Sequence, residues 1–158
     1  MATKNQIDID ADKAKQLADK LNILLANYQL FYINTRGFHW NISGNKFFEL
    51  HAKFEELYND AILKIDEVAE RILTLGHTPF HSFTSYLQNA TIQEVADVSD
   101  GNQAVQEILN GFRILIEAER ELLTLSADAD DEGTNALMSD YIREQEKLVW
   151  MYSAYLKS

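Results

Sequence analysis

Residues 47–75 read FFELHAKFEELYNDAILKIDEVAERILTL, and the spacing of their apolar side chains decides the fold. These side chains recur every three or four positions, which predicts one long amphipathic helix from near Asn45 to Leu75. Gly76 and Pro79 follow directly and predict where the helix ends. The residues that this spacing turns toward the helix's own bundle are Phe47, Leu50, Phe54, Leu57, Ala61, Ile65, Val68 and Ile72.

Three further stretches repeat the helical spacing. The first runs from near Asp10 to near His39, the next spans about 102–126, and the last follows SADADDEGT at 126–134. The connection 76–100 is too long for a tight turn, so we expect it to hold a short helix. Four long helices with one long central crossover predict an all-α fold, the ferritin-like four-helix bundle. The other inward-facing residues are Leu17, Leu21, Leu24, Tyr28, Phe31, Val105, Ile108, Phe112, Leu115, Leu122, Leu137, Tyr141, Leu148, Tyr152 and Tyr155.

Length and composition predict a single domain, residues 1–158, with a short flexible segment at 1–9. The chain has 14 Lys and Arg against 25 Asp and Glu, and this formal charge of −11 disfavours nucleic-acid binding. A negative charge of this size would also attract cations, although keeping the protein in solution is the simpler explanation for the excess of acidic residues. The chain has no cysteine, which excludes disulfides and cysteine-type zinc sites. It also lacks an apolar signal core and any membrane-length apolar run, so we expect a cytoplasmic protein without membrane contact.

A second face of the helix at 47–75 carries four potential metal ligands. His51, Glu55, Asp66 and Glu70 lie roughly 135° away from the bundle-facing stripe, at about 100° per residue. Apolar residues share this face, so it is not a simple solvated surface. A helix with two partly apolar faces usually contacts two different neighbours. The apolar residues on this second face are Tyr58, Ile62, Ala69 and Leu73.

One chain cannot gather these four ligands around a metal ion. His51 and Glu70 are 19 positions apart, about 28 Å along a helix, whereas metal–ligand bonds are about 2 Å. Two antiparallel copies, related by a two-fold axis between positions 60 and 61, bring the ligands together. His51 then faces Glu70 of the second copy, and Glu55 faces Asp66 in the same register. His39, returned by the hinge NISGN at 41–45, would complete each of two equivalent sites.

The alternative is an ordinary polar surface. A histidine near a helix end commonly makes only a hydrogen bond, and helical carboxylates such as Glu56, Asp60 and Glu67 are usually solvated. If a metal does bind, imidazole and carboxylate ligands without sulfur favour iron, manganese or zinc. Neither the Glu-x-x-His motif of bundle di-iron sites nor the His-Glu-x-x-His motif of zinc proteases occurs. His77 and His81 flank Pro79 and are interpreted as loop residues, not ligands.

Four motifs together resemble the Dps family of ferritin-like mini-ferritins. They are FHWN at 38–41, LHAKFEELY at 50–58, IDEVAERILTLG at 65–76 and EKLVWMYSAYL at 146–156. The resemblance covers nearly the whole chain, and the combination is highly specific. It implies a hollow shell of twelve subunits with a two-iron site at each dimer two-fold. The residues that match the family's site, as both metal ligands and ferroxidase residues, are His39, His51, Glu55, Asp66 and Glu70.

The resemblance also implies the activity. Dps proteins oxidise iron(II), preferentially with hydrogen peroxide, and store the iron(III) as mineral, which protects the cell from oxidative damage. Better-known members often have Asp where this chain has Glu55, and the longer side chain would alter the iron spacing. Trp40 matches a family tryptophan beside the site, where its simplest role is packing and an alternative role is quenching of oxidising intermediates.

Two further features of the chain bear on partners. Lysine-rich tails commonly give Dps proteins DNA binding, but residues 1–20 here balance four lysines against four aspartates, and the chain ends at YLKS. We therefore expect weak or no DNA binding, with a DNA-compacting, nucleoid-associated protein as the alternative function. A third hypothesis is a helical protein-interaction module that catalyses no reaction. The acidic stretch that holds Asp128, Asp130, Asp131 and Glu132 is predicted either to line an iron-entry pore or to cap the last helix.

Overall fold

Five α-helices build the fold in the computed structural model, which describes residues 3–157. They are α1 (Ala11–Asn41), α2 (Phe47–Thr74), α3 (Phe83–Asn89), α4 (Gly101–Asp128) and α5 (Glu132–Leu156). The four long helices form the bundle, and α3 lies in the crossover that joins its two halves. The predicted all-α, ferritin-like bundle with a short crossover helix is confirmed. Within residues 3–157, no helix is both long and apolar enough to cross a membrane.

Side-chain caps explain most of the helix starts. Asp10, Ser82, Asp100 and Asp131 each accept a hydrogen bond from the backbone N–H three residues later. The end of α2 is fixed differently, by Gly76 at a φ of 93°. Here the N–H of residue 77 donates to the carbonyl of residue 72, and that of Gly76 donates to residue 73. This pair of bonds is a Schellman motif, which requires the left-handed conformation that glycine adopts without strain.

The break between the last two helices is shorter than we predicted. Helix α4 continues to Asp128 and α5 already begins at Glu132, so only residues 129–131 of SADADDEGT are non-helical. Asp130 makes this tight turn with a φ of 54°, a conformation that Asp tolerates better than most residues. Asp131 then caps α5 at once. The cluster of turn-forming residues therefore marked the break correctly but overstated its length.

The apolar stripes pack into one core. Every inward residue predicted for α1 and α4 is buried, which confirms the helical spacing. On α2 the stripe is buried except for Phe47 and Ile65, which are half-buried. On α5, Tyr141 and Tyr152 are buried, and the other three predicted residues are half-buried. Removing such side chains from water supplies the main stabilisation of a bundle, at about 25 cal/mol per Å² of apolar surface.

Three asparagines of α1 hold the crossover in place. Asn22, Asn27 and Asn34 lie on the buried side of α1 and bond backbone groups of residues 78–95 at distances of 2.7–3.1 Å. The crossover has few regular backbone bonds of its own, so these amides satisfy groups that burial would otherwise leave unpaired. The spacing of the apolar residues did not reveal this polar row.

The N-terminal segment folds back on the bundle. Residues 1 and 2 lie outside the described residues, but residues 3–9 form a turn in which the Asn5 side chain accepts from the N–H groups of Ile7 and Ile9. The Asn5 amide also donates to the carbonyl of Leu75, and Ile9 is buried. These contacts hold residues 3–9 against the bundle in this structure, and the flexibility predicted for the segment stays a prediction.

Two charged residues are buried in the core. Lys64 lies on a largely exposed stretch of α2, yet it is buried and its ammonium group pairs with Asp60 and Glu144. Glu119 on α4 is fully buried and accepts a hydrogen bond from the Tyr28 hydroxyl, which in turn accepts one from the Gln145 amide at 2.6 Å. Long stems and hydrogen-bond partners allow such burial, and apolar spacing alone cannot detect it.

Burial raises the pKa of Glu119 to about 8, although the hydrogen bonds from Tyr28 and Gln145 oppose the shift. Among residues 3–157, Glu119 Oε1 and Gln145 Oε1 are buried acceptors without a donor. A protonated Glu119 has an O–H of its own, so its unpaired oxygen no longer needs a donor. The native bundle therefore favours the neutral acid.

We predict that this acid makes stability depend on pH. The folded pKa of Glu119 is about 8 and its ordinary value is 4.5, so unfolding releases a proton between these values. Stability contributed by the neutral acid is thus lost as pH rises toward 8, by up to about 1.4 kcal/mol per pH unit. The neutral isostere Glu119→Gln should unfold at the same temperature as the parent near pH 5 and at a higher temperature at pH 8.

Thermal unfolding of both proteins across this pH range is the measurement. Glu117→Gln, which removes an exposed carboxylate from the same helix, is the matched control and should follow the parent. Parallel curves for the parent and Glu119→Gln would show that the buried group is not a neutral acid.

Candidate metal centre

Two histidines bind each other's backbone where α1 meets α2. The hinge at 42–46 returns the chain so that His39, in the last turn of α1, lies against His51 in the second turn of α2. His39 Nδ1 is 2.6 Å from the His51 carbonyl oxygen, and His51 Nδ1 is 2.7 Å from the His39 carbonyl oxygen. The two imidazole rings stack at 3.8 Å between centroids, with 11° between their planes.

These bonds determine which ring nitrogen carries the proton. A carbonyl oxygen can only accept, so Nδ1 of each histidine must be the donor. In the neutral ring, Nε2 is then left with its lone pair free. Metal-binding histidines usually show this arrangement, with the other nitrogen bonded to a carbonyl or carboxylate that fixes the ring. The local structure therefore leaves Nε2 of His39 and His51 as the nitrogen with a free lone pair, which a metal ligand requires.

Neighbouring aromatic rings fix the planes of the two imidazoles. Phe47 stacks on His51 at 4.8 Å, and the edge of Tyr58 packs on His39 at 5.3 Å. His39 is only 5% exposed, while His51 is half-buried. Glu55 reaches the same point from the next turn of α2, with its Oε1 at 3.5 Å from His39 Nε2. Three of the five predicted site residues thus converge in one chain.

Asp66 and Glu70 do not join this group within the chain. Both are exposed and lie farther along the unbroken helix α2. Across residues 3–157, no three histidine or acidic side chains come close enough to enclose a metal ion. The five predicted ligands therefore form two separate half-sets within one chain, one with His39, His51 and Glu55 and one with Asp66 and Glu70.

Large apolar side chains are exposed near these half-sets. Leu73 on α2 is 58% exposed, Ile62 is also exposed, and Trp40 at the end of α1 is 62% exposed. The Trp40 ring packs on the Arg36 guanidinium at 4.7 Å, which leaves its other face open. Most of the Trp40 ring is therefore uncovered within one chain, and both roles predicted for it stay predictions.

The acidic stretch at 128–132 contains one buried carboxylate and three exposed ones. Asp131 is buried, caps α5 through Thr134 and pairs with the Arg71 guanidinium at 2.6 Å. Its capping role is confirmed, and its carboxylate is not available to line a pore. Asp128, Asp130 and Glu132 remain exposed. Arg71 was not predicted as the partner of Asp131, because the two residues are 60 positions apart in the sequence. The Asp-x-x-Thr spacing at the helix start predicts only the cap.

His77 and His81 lie in the crossover, outside any helix, as predicted. His81 Nδ1 is 3.0 Å from the carbonyl oxygen of Pro79, its near neighbour in the chain. Neither residue is part of the group at the α1–α2 junction.

The fold and the paired histidine and carboxylate residues define a ferritin-like protein. The family model of the ferritin-like domain matches residues 18–158. The chain is 41% identical to the DNA protection during starvation protein of Porphyromonas gingivalis, over 96% of this chain and 98% of that protein.

Solved structures agree with this assignment. The crystal structure of a Dps protein from Vibrio cholerae O1, described as a member of the ferritin-like diiron-carboxylate superfamily, has a TM-score of 0.97. It is 59% identical, and the match covers 99% of this chain and 98% of that one. A Dps protein from Bacillus brevis has a TM-score of 0.89 at 34% identity, covering 92% and 98%. The chain belongs to the Dps family.

Asp131 is buried and Asp130 is exposed, so replacing each of them should affect stability differently. Asp131→Asn should destabilise the fold by about 2–3 kcal/mol, because it leaves Arg71 without its buried partner. We expect less than the full cost of breaking a buried pair because the Arg71 side chain is 20% exposed. Asp130→Asn, which also tolerates the left-handed backbone, is the matched control and should change stability little. Chemical denaturation measures both, and equal stability of the two variants would contradict the assignment.

Proposed function

We propose that this protein is an iron-storage and detoxification mini-ferritin with ferroxidase activity. Iron(II) would bind as substrate at sites shared by two chains and be oxidised there, preferentially by hydrogen peroxide. Iron(III) would then be stored as mineral inside a hollow dodecamer in the cytoplasm. The observation that carries the proposal is the pair His39 and His51, each with Nδ1 bonded to the other's carbonyl and Nε2 left free.

The stacking of this pair supports a two-iron site. An imidazole binds a metal in the plane of its ring, and the two ring planes are nearly parallel with centroids 3.8 Å apart. One ion cannot lie in both planes, so each histidine would serve its own iron. Two-metal sites separate their ions by about 3.5–4 Å, which matches the stacking distance.

A second copy of the chain would supply the missing carboxylates. With a two-fold axis between positions 60 and 61, Asp66 and Glu70 of one copy face Glu55 and His51 of the other. The exposed Ile62 and Leu73 lie on the same face of α2 and would be covered by that contact. This arrangement explains why a single chain shows two half-sets of ligands on an apolar surface.

The residues have distinct roles in the proposed reaction. His39 and His51 act as neutral nitrogen ligands, and Glu55, Asp66 and Glu70 balance the positive charge and supply bridging oxygens. Two iron(II) ions give one electron each to hydrogen peroxide, which takes up two protons and forms two molecules of water. Because both electrons arrive together, the one-electron route to hydroxyl radical is avoided.

The exposed Asp128, Asp130 and Glu132 are proposed to attract iron toward an entry pore. Asp131 is excluded from this role, since its carboxylate is buried against Arg71 and Thr134. The formal charge of −11 per chain adds a general attraction for cations.

A complementation experiment tests the shared site. His51→Ala and Asp66→Ala should each abolish rapid iron(II) oxidation by peroxide, because every site loses one ligand. In a hybrid dimer of the two variants, one site lacks both ligands while the other keeps its full set. Hybrid shells should therefore recover part of the parent activity, measured by stopped-flow absorbance with peroxide and with dioxygen as oxidants.

Glu117→Ala on α4, away from the proposed site, provides a matched control for mixing and reassembly. Hybrids as inactive as their parents, with mixing verified by mass, would disprove a site shared across the two-fold axis. Faster oxidation by dioxygen than by peroxide would remove the peroxide preference and leave the ferroxidase function.

DNA compaction, the alternative function, has little support in the surface charges. The three lysines of α1 that point outward already have acceptors: Lys13 bonds the Asp128 carbonyl at 2.9 Å, Lys15 pairs with Asp19, and Lys20 pairs with Glu121. Phosphate contacts would have to replace these bonds and overcome a net charge of −11 per chain.

We therefore predict no gel retardation of duplex DNA at about 0.15 M salt, where the screening length is near 8 Å. At low salt a weak shift is expected, because lysine–phosphate attraction is then less screened. Replacing Asp19 and Glu121 by Asn and Gln frees Lys15 and Lys20 and should strengthen that weak shift. Complete retardation by the parent at physiological salt would favour the DNA-compacting function instead.

A further inference from the structure

A cavity of about 350 Å³ lies between α2 and α5. Three residues of the core line it, Leu50, Leu57 and Tyr152, and their exposed fractions are only 3%, 5% and 8%. Leu148 and Met151 of α5 add further apolar surface. Ligand pockets in proteins typically enclose about 300–1,000 Å³ and have mostly apolar walls. The cavity therefore has the size and the lining of a site for one small organic molecule.

The proposed two-fold contact leaves this cavity open. At about 100° per residue, Lys53, Glu56 and Asp60 at the cavity lie roughly 140° around α2 from Ile62 and Leu73. Ile62 and Leu73 are exposed side chains on the surface of the helix, which suits contact with a second copy. The cavity instead reaches inward to buried side chains, so a small molecule fits it better than another helix face does.

Negative charge predominates at the cavity. Its charged residues are Glu56, Asp60 and Lys53, so two carboxylates stand against one ammonium group. Lys53 pairs with Glu56 at 3.0 Å, but both side chains are more than half exposed, so the pair is weak and a ligand can replace it. Burial raises the pKa of Tyr152, and the Glu56 charge adds to this shift because it makes the potential at the phenol negative. The cavity therefore favours a cationic ligand group over an anionic one.

The aromatic and sulfur-containing side chains suit the same kind of ligand. Tyr152 and Tyr155 both line the cavity, and the faces of tyrosine rings attract organic cations. Met151 is flexible and polarisable, so it can adapt to apolar groups of different shape. Apolar walls, aromatic rings and an excess of negative charge thus occur together in one cavity.

We propose that this cavity binds a small organic amine, with the apolar body of the ligand against Leu57, Leu148 and Met151 and its protonated amino group at Glu56. This binding activity goes beyond iron storage and does not depend on it, because none of these residues belongs to the proposed metal centre. The ligand would bind reversibly and without a covalent bond.

Isothermal titration calorimetry on the metal-free, assembled protein tests the proposal, with phenylbutylamine as the probe. The amine should bind with one molecule per chain. Phenylbutanol has the same apolar body without the charge and should bind about two- to fivefold more weakly, the effect of one exposed charge interaction. Phenylbutyrate, which carries a negative charge, should bind most weakly. Equal affinities for the amine and the butyrate would contradict the assignment of a cationic ligand.

Two variants locate the binding in the cavity. Met151 is exposed at the cavity, so Met151→Trp should fill it with a larger ring and abolish binding of the amine. Ala154→Trp adds the same ring at an exposed position of α5 outside the cavity, and this matched control should bind like the parent. Glu56→Gln should weaken binding of the amine about two- to fivefold and leave that of phenylbutanol unchanged. Glu117→Gln on α4 should change neither.

The absence of saturable amine binding to the parent overturns the proposal, whether the cavity is too weak a site or a neighbouring copy covers it. Binding that persists in Met151→Trp overturns it as well, because the amine would then bind elsewhere. Circular dichroism checks that each variant keeps the helical fold. Iron oxidation is measured separately on the same preparations, so failure of the proposed iron chemistry and failure of amine binding are distinguishable.

Discussion

The reciprocal bonds between His39 and His51 are the constraint on which the proposed site depends. Each imidazole donates through Nδ1 to the other residue's carbonyl, and the two bonds hold the end of α1 against the start of α2. The same two bonds select the tautomer with a free Nε2 lone pair. One local interaction therefore sets the angle of the hinge, the stacking of the rings and the chemistry that the pair can perform.

Buried polar groups give the rest of the bundle its specificity. The asparagines of α1 satisfy the crossover backbone, Asp131 joins the start of α5 to Arg71 on α2, and Lys64 links α2 to α5. Each of these groups would be costly to bury alone, so an incorrect pairing of helices leaves several of them unsatisfied. Apolar burial drives the bundle together, and these contacts decide which of the possible arrangements is adopted.

Carboxylates serve three different purposes in this acidic chain. Asp131 stabilises the fold, Glu119 is a buried acid with a pKa raised to about 8, and Glu55, Asp66 and Glu70 are exposed and available to cations. Glu67 adds a fourth arrangement, in which an exposed carboxylate accepts a hydrogen bond from the buried phenol of Tyr141. The environment of each residue separates these roles, because side chains of one type differ chiefly in burial and in hydrogen-bond partners.

The spacing of apolar residues by itself determined the four long helices and their main inward-facing stripes, because helix periodicity is a local property of the chain. The crossover helix followed from the length of the connection at 76–100, and core residues such as Leu25, Phe38 and Met138 were not predicted. The helical spacing also placed His51, Glu55, Asp66 and Glu70 on one face of α2, since one continuous helix relates them. The hinge at 41–45 predicted the return of His39, but only the tertiary structure showed that its ring stacks on His51. The structure alone also showed that Asp131 pairs with Arg71 and that Lys64 and Glu119 are buried. These contacts join residues that lie on different helices. The pattern of residues along one sequence does not show which polar side chains will meet when the helices pack.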